Sequence, residues 1–249
     1  MFDCTPAFLG RDCALLLQIC KESGIQIVTN TGYYGAVHNK YLPHWAFAES
    51  ADQLATRWVN EFEDGIDGTN VRPGFIKIGV DSSDPLSDIH QKLVRAAART
   101  HLRTGLTICS HTGPALAAFQ EMEIVQSEGV HPSAFVWVHA QAEKEKSFHA
   151  KAATLGVWIS LDGIGWGDFD TYAESILKLK SQKLLHRVLI SHDAGWYRPK
   201  ETNAKFVGYT NIFNELWPRL QKNGFTKTDL HQLLILNPAM AFALNIRRL

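Results

Sequence analysis

The sequence predicts an α/β fold of the (β/α)8 TIM-barrel type, in which helices cover a parallel sheet. Three observations predict it. Helical patterns alternate with short, nearly continuous apolar strands, the strands recur mostly about 25 to 30 residues apart, and no Ser/Gly/Pro-rich linker divides the 249 residues. Near-continuous apolar strands are typical of a parallel sheet that is covered on its faces. A nucleotide-binding doubly wound fold lacks support, because no GxGxxG follows a strand and no GxxxxGK[ST] occurs.

The elements follow one another in strict alternation. A helix predicted at residues 10–23 ends where Gly24 offers a C-terminal cap, and a long aromatic segment at residues 32–47 is typical of a loop that covers a site. The other predicted helices cover residues 50–64, 86–103, 114–128, 143–155 and 169–181, with terminal helices from about residue 210. The predicted strands cover residues 25–31, 74–80, 106–111, 135–139, 157–162 and 187–193.

Lys77 lies in the middle of the apolar strand at residues 74–80, which is rich in β-branched residues. An ammonium group in a low-dielectric interior must be paired, neutralised or chemically modified. One interpretation is structural: the side chain reaches solvent along its apolar stem or pairs with a nearby carboxylate. The other is functional, and it depends on the residues that end the later strands.

Composition excludes several partner classes. Lys and Arg total 25 against 25 for Asp and Glu, so no charge excess indicates nucleic acid or an anionic membrane, and a small-molecule partner is expected. The sequence shows no secretory signal pattern and no apolar run long enough for a bilayer, which predicts a soluble chain. The four cysteines lack CxxC spacing and disulfide-scaffold density, which favours a reducing, cytoplasmic setting.

Polar residues suited to metal binding or acid–base chemistry end one apolar strand after another. Lys77 is followed along the chain by His111, His139, Asp162 and Asp193. In a (β/α)8 barrel these positions meet at the C-terminal mouth, where active sites are found. Neutral imidazoles and carboxylates are ordinary ligands for Zn²⁺ and similar ions. A lysine could join them as a carbamate formed with CO₂, although a single strand-end histidine is often only a structural residue.

Five segments together resemble the phosphotriesterase family of the amidohydrolase superfamily: GFIKIG, CSHTG, VWVHAQ, WISLDGIG and LISHDAGW. The resemblance covers the whole chain. It implies that Lys77 is a carbamylated lysine bridging two metal ions, that His111 and His139 bind the more exposed ion, and that Asp193 is the last-strand ligand and proton acceptor. It further implies one or two divalent ions, most often zinc, and hydrolysis of an ester, lactone or phosphoester by a metal-bound hydroxide.

The chain also departs from the family's pattern, because it contains no His-x-His pair, which the family carries at the end of its first strand. We therefore expect a single metal-dependent hydrolase barrel domain over residues 1–249 that lacks the first βα unit. It would have about six full strands plus a remnant of strand two near residues 1–5. Activity should be impaired, and the exposed sheet edges predict a homo-oligomer.

The substrate-binding residues predicted beside this site are Tyr33, Tyr34, Asp162, Trp166 and Trp196. The aromatic residues follow strand ends and could line an apolar pocket or pack the loops. Asp162 could contact substrate, orient His139 or be structural.

Two other functions stay open. Lys77 could be the amine nucleophile of a Schiff-base lyase on the same fold, although such an enzyme has no need for two strand-end histidines. The chain could also be an inactive or ligand-binding barrel remnant, which the missing His-x-His pair favours.

Overall fold

The computed structural model describes residues 1–195, 201–202 and 206–249. Within these residues, six strands form one parallel sheet in the order of the chain, β1-β2-β3-β4-β5-β6, and helices lie between successive strands. This confirms the predicted α/β class. The strands are β1 (Asn30–Thr31), β2 (Phe75–Gly79), β3 (Thr107–His111), β4 (Phe135–Val138), β5 (Trp158–Leu161) and β6 (Val188–Ile190).

The α-helices of the described chain follow the predicted order, except that α2 begins inside the aromatic segment that was predicted to be a loop. They are α1 (Cys13–Ser23), α2 (Trp45–Ala48), α3 (Ala51–Asp64), α4 (Asp88–Thr104), α5 (Ala115–Ser127), α6 (Ser147–Thr154), α7 (Phe169–Ser181), α8 (Trp217–Lys222), α9 (Lys227–His231) and α10 (Asn237–Phe242). Short 3₁₀ turns cover Pro132–Ala134, Ala140–Ala142 and Leu185–Arg187, and π-helical segments cover Ile212–Leu216 and Gln232–Leu236.

Several strands are shorter than the sequence predicts, and their ends show why. Strand β4 ends at Val138 because His139 adopts a left-handed conformation, with φ 61° and ψ 33°, which cannot continue a strand. Strand β6 ends at Ile190, and the chain turns further at Asp193, whose φ is 42°. The strand predicted at residues 25–31 is regular only over Asn30–Thr31, which form β1, and Val28 before it forms an isolated bridge with Phe2.

The described chain divides into two compact units. The first unit comprises Met1–Trp137 and Ala241–Leu249, and the second comprises Val138–Met240. A single barrel domain lacking its first βα unit remains a prediction.

The first unit is built around β2, in which every residue is buried. Strand β2 pairs with β3 in a register that sets Lys77 opposite Cys109 and Gly79 opposite His111. Ser50 caps the N-terminus of helix α3 and forms a capping box with Gln53. The register of β2 and β3 brings the ends of these two strands side by side.

The second unit pairs β5 with β6 so that Leu161 lies opposite Ile190. Asn237 is fully buried, and its side-chain amide donates hydrogen bonds to the carbonyls of Leu185 (2.8 Å) and Val188 (2.6 Å). These bonds attach the beginning of β6 to helix α10 and satisfy polar groups that burial would otherwise leave unpaired.

Among the described residues, no helix combines the length and the apolar character that crossing a bilayer requires.

Candidate active site

Lys77 and His111 occupy the same face of the sheet in the first unit. Because Gly79 lies opposite His111 in the register, and side chains alternate along a strand, Lys77 and His111 leave β2 and β3 on the same side. Lys77 is only 4 % exposed, whereas His111 is half-buried. A buried amine and a more accessible imidazole therefore stand on adjacent strands, two residue positions apart.

The ring of Tyr34 packs beside His111, with the two ring centroids 5.0 Å apart in an edge-to-face arrangement. Gly79 makes this possible, since a Cβ atom there would lie 2.8 Å from two carbon atoms of the Tyr34 ring. Tyr34 is 8 % exposed. The predicted substrate residue thus contacts a predicted ligand, and its ring is mostly covered.

Glu121 on helix α5 is a fully buried carboxylic acid behind the end of β3. The hydroxyl of Ser110 donates to its Oε1 atom, and the hydroxyl of Thr112 donates to its Oε2 atom at 2.5 Å. Burial raises the pKa of Glu121 to about 7, although the two hydroxyl groups and the charge of Lys77 favour the ionised form. This titratable group therefore changes charge near neutral pH.

His139 and Asp162 form the central contact of the second unit. The ring Nδ1 of His139 lies 2.6 Å from Asp162 Oδ1, and the backbone N–H of His139 donates to Oδ2 at 2.9 Å. A carboxylate can only accept hydrogen bonds, so Nδ1 carries the proton and the neutral ring has its lone pair on Nε2. This is the tautomer of a histidine whose Nε2 acts as a ligand or base.

Two further donors complete the shell around the Asp162 carboxylate. The side-chain amide of Gln141 donates to Oδ1 at 2.7 Å, and the Ser160 hydroxyl donates to Oδ2 at 2.8 Å. The carbonyl oxygen of Gln141 also accepts the backbone N–H of Asp162 at 3.2 Å. Burial raises the pKa of Asp162, but the hydrogen bonds from His139 and Gln141 outweigh it, so the pKa lies below its ordinary value.

The contacts of Asp162 match its alternative role of orienting His139, because both oxygens are already engaged by four donors. Its predicted contact with substrate stays a prediction.

The backbone is left-handed at both predicted metal ligands of the second unit, His139 and Asp193. Non-glycine residues in this region cost of order 1–3 kcal/mol and persist only where surrounding contacts hold them. At His139 the conformation directs the backbone N–H and the ring Nδ1 toward the same carboxylate. The left-handed backbone at His139 therefore allows this residue to make two hydrogen bonds to Asp162.

Asp193 is half-buried, and its backbone carbonyl accepts a hydrogen bond from the indole N–H of Trp166 at 3.2 Å. Tyr172 on helix α7 connects this residue with Asp162: burial raises the pKa of its hydroxyl, and the negative charges of Asp162 and Asp193 raise it further. The second unit thus collects two acidic groups around one buried tyrosine.

The remaining predicted substrate residues differ in their surroundings. Tyr33 is 6 % exposed, packs edge-to-face on Trp58, and accepts a hydrogen bond from Trp45 Nε1 at 3.2 Å. Trp166 is 55 % exposed. Trp196 lies outside the described residues, so its predicted role stays a prediction.

The predicted metal ligands stay a prediction, with Lys77 and His111 in the first unit and His139 and Asp193 in the second. Within residues 1–195, 201–202 and 206–249, no group of three or more His, Cys, Asp or Glu side chains is arranged to hold an ion. His139 has the carboxylate-bound ring that is typical of a metal ligand, but one such residue does not complete a donor set.

Sequence reasoning missed Glu121, Gln141 and Tyr172. Glu121 had a detectable signal, because it falls on the buried face of helix α5 with Ala117, Met122 and Val125. A carboxyl group at an apolar helical position needs an explanation of the same kind as Lys77 in its strand. No sequence signal marked Gln141 or Tyr172, because Gln141 matters through its hydrogen bonds to Asp162 and Tyr172 through the charge of Asp162.

The sequence model of the phosphotriesterase family matches residues 1–242. Among curated proteins, the chain is 28 % identical over 246 residues to a phosphotriesterase homology protein of Escherichia coli, covering 97 % of this chain and 82 % of the relative. It is 29 % identical over 255 residues to an aryldialkylphosphatase of Saccharolobus solfataricus, covering 97 % and 79 %.

Solved structures agree with these matches. The Escherichia coli phosphotriesterase homology protein, crystallised with phosphate in its active site, superimposes with a TM-score of 0.86, covering 97 % of this chain and 83 % of that one. A lactonase of Listeria monocytogenes gives a TM-score of 0.85 at 25 % identity, covering 98 % and 81 %.

Proposed function

Because the chain belongs to the phosphotriesterase family, we propose that it is a hydrolase that cleaves an ester, lactone or phosphoester bond in a small molecule. The observation that carries this proposal is the family match over residues 1–242. Relatives named as an aryldialkylphosphatase and a lactonase support the substrate classes. The predicted cytoplasmic location and homo-oligomer belong to the same proposal.

The proposed roles of the residues follow from their chemistry. Asp162 keeps His139 in the tautomer with the lone pair on Nε2, so this ring presents a base or a ligand. Asp193 is the proposed proton acceptor, on a backbone held in an uncommon conformation. Tyr34 is proposed to bound the substrate beside His111.

Membership of the family supports a divalent metal in general, and we propose zinc, with Lys77, His111, His139 and Asp193 as ligands and Lys77 carbamylated. The chain contains no His-x-His pair, which the resemblance assigns to the more buried ion, and this counts against full occupancy. We therefore assign no reaction step to an ion and expect impaired turnover.

The second candidate, an inactive or ligand-binding barrel, is favoured by the missing His-x-His pair. The Schiff-base lyase, in which buried Lys77 would be the nucleophile, is the third.

One set of experiments separates the three. The purified chain is assayed with aryl esters, lactones and organophosphate triesters, with and without zinc and bicarbonate, and its metal content is measured. Slow, metal-stimulated hydrolysis that Asp193→Asn reduces by at least about 100-fold, the scale of general-base loss, supports the proposal. Inactivity on every class supports the ligand-binding candidate, and borohydride trapping of a carbonyl compound on Lys77 supports the lyase.

A further inference from the structure

Glu121 is a buried ionisable group to which the proposed function gives no role. Neighbouring buried positions of α5 are apolar, and this glutamate is fully buried among them. An apolar side chain would fill such a position at lower cost, because burying a carboxyl group is unfavourable even when it is hydrogen-bonded. We therefore expect Glu121 to make a contact that an apolar side chain could not make.

Glu121 makes that contact with Ser110 and Thr112, the two neighbours of His111. We call these hydrogen bonds the clamp. Ser110 donates to one carboxyl oxygen of Glu121, and Thr112 donates to the other. Side chains alternate along β3, so Ser110 points away from the face that carries His111. The carboxyl group consequently holds the strand from behind, at the residues immediately before and after the imidazole.

The clamp depends on the charge of Glu121. An ionised carboxylate accepts from both hydroxyl groups. A protonated one donates its own hydrogen, and Thr112 Oγ1 can accept it while donating to the carbonyl of Ser110 at 3.1 Å. Hydrogen bonds to a charged acceptor are also about twice as strong as those to a neutral one. Lys77 on β2 favours the ionised form of Glu121 while it is an ammonium group, and a carbamylated Lys77 would be negative and would favour the protonated form.

We propose that Glu121 is a positioning residue for His111: its carboxylate holds Ser110 and Thr112 and so sets the direction in which the imidazole leaves β3. The proposal extends the proposed function, on which its catalytic consequence rests. Its structural part concerns only residues of the first unit and can be tested without a substrate. A pKa near neutrality for Glu121 fits this role, because strongly shifted carboxyl groups cluster at functional sites.

The first experiment follows the carboxyl carbon of Glu121 by ¹³C NMR between pH 4 and 9, assigned by its disappearance in Glu121→Gln. The midpoint should lie near 7, and the backbone amides of Ser110 to Thr112 should shift with the same midpoint. Ser110→Ala should raise that midpoint, because it removes a donor to the charged form. In Glu123→Gln, which alters an exposed glutamate on the same helix, both signals should be unchanged.

The second experiment measures kcat/KM against pH for whichever ester class the chain hydrolyses. Glu121→Gln should lower kcat/KM at pH 8 by about 10- to 100-fold, as is typical when a residue supporting a site residue is lost, and should remove the rise through pH 7. Glu123→Gln should behave as the unaltered protein. Glu121→Asp, which keeps the charge on a shorter side chain, should recover part of the loss.

The outcomes separate this inference from the proposed function. Coupled NMR titration without hydrolysis supports the clamp and overturns only the hydrolase. Hydrolysis that Glu121→Gln leaves unchanged, with amides that do not follow the carboxyl carbon, overturns the clamp and leaves the hydrolase standing. If Glu121→Gln does not fold, the Ser110→Ala titration decides, and an unmoved midpoint overturns the proposal.

Discussion

Two buried carboxyl groups contact a strand-end histidine or its neighbours, one in each unit, and their pKa values shift in opposite directions. Glu121 receives two neutral hydroxyl donors, and its pKa rises to about 7. Asp162 receives four donors, including the ring and backbone of His139, and its pKa falls. Burial acts in the same sense on both, so the number and strength of the donors decide the sign.

The difference shows how far hydrogen bonds inside the protein can replace the solvation of a carboxylate by water. Four hydrogen bonds supply roughly what water would offer a carboxylate, so the charge of Asp162 is kept at neutral pH. Two bonds leave Glu121 undersolvated, and its charge becomes conditional on pH. Asp162 therefore supports its imidazole at all pH values near neutrality, whereas the hydrogen bonds of Glu121 change in strength with pH.

The largest expected effect comes from removing the better solvated group. Asp162→Ala leaves the donors of His139, Gln141 and Ser160 without their acceptor. At about 1–3 kcal/mol for each buried unsatisfied donor, the free energy of unfolding should fall by about 4 kcal/mol, measured by urea unfolding at pH 7. The control Glu174→Gln changes an exposed side chain and should cost less than about 0.5 kcal/mol. An Asp162→Ala cost as small as the control's would break the comparison.

The second effect is a pH dependence. The folded-state pKa of Glu121 lies above its ordinary value, so the folded state binds the proton more tightly, and stability falls as pH rises from about 4.5 to 7. Glu121→Gln removes this dependence. Its stability relative to the unaltered protein should therefore rise by about 3 kcal/mol between pH 4 and pH 8, as followed by urea unfolding at several pH values. A constant difference would mean that Glu121 titrates normally.

A third change tests how many hydrogen-bond donors Asp162 needs to keep its pKa low. Gln141→Met keeps the volume of the side chain but removes both hydrogen bonds that join it to Asp162. We expect a loss of about 1–2 kcal/mol in unfolding free energy and a raised Asp162 pKa, seen by carboxyl ¹³C NMR. Gln182→Met, at the end of helix α7, is the matched control. An unmoved Asp162 signal would show that His139 and Ser160 suffice.

The smallest expected effect is on the Glu121 side. Ser110→Ala removes one of its two donors and should cost about 1 kcal/mol at pH 8, where the carboxylate is charged, and less at pH 5. Thermal unfolding at the two pH values measures this difference. Equal costs at both values would argue that the hydroxyl group interacts with both charge states alike.

Strand and helix order were predictable because they depend on local periodicity. The helix at residues 169–181 was predicted with the bounds that α7 has, Phe169–Ser181. Strand ends were less predictable: the predicted strand at residues 187–193 is regular only over Val188–Ile190. The turn at Asp193 depends on a left-handed backbone, which the sequence does not signal for an aspartate.

What the sequence by itself determined is the alternation of strands and helices, the placement of polar residues at strand ends and the family, since all three are written in local patterns. Only the tertiary structure decided which of these polar groups touch. Asp162 supports His139 across 23 positions of chain, and Glu121 reaches back to Ser110 across 11. The physical reason is that hydrogen bonds and burial depend on distance in space, and packing alone brings these residues together.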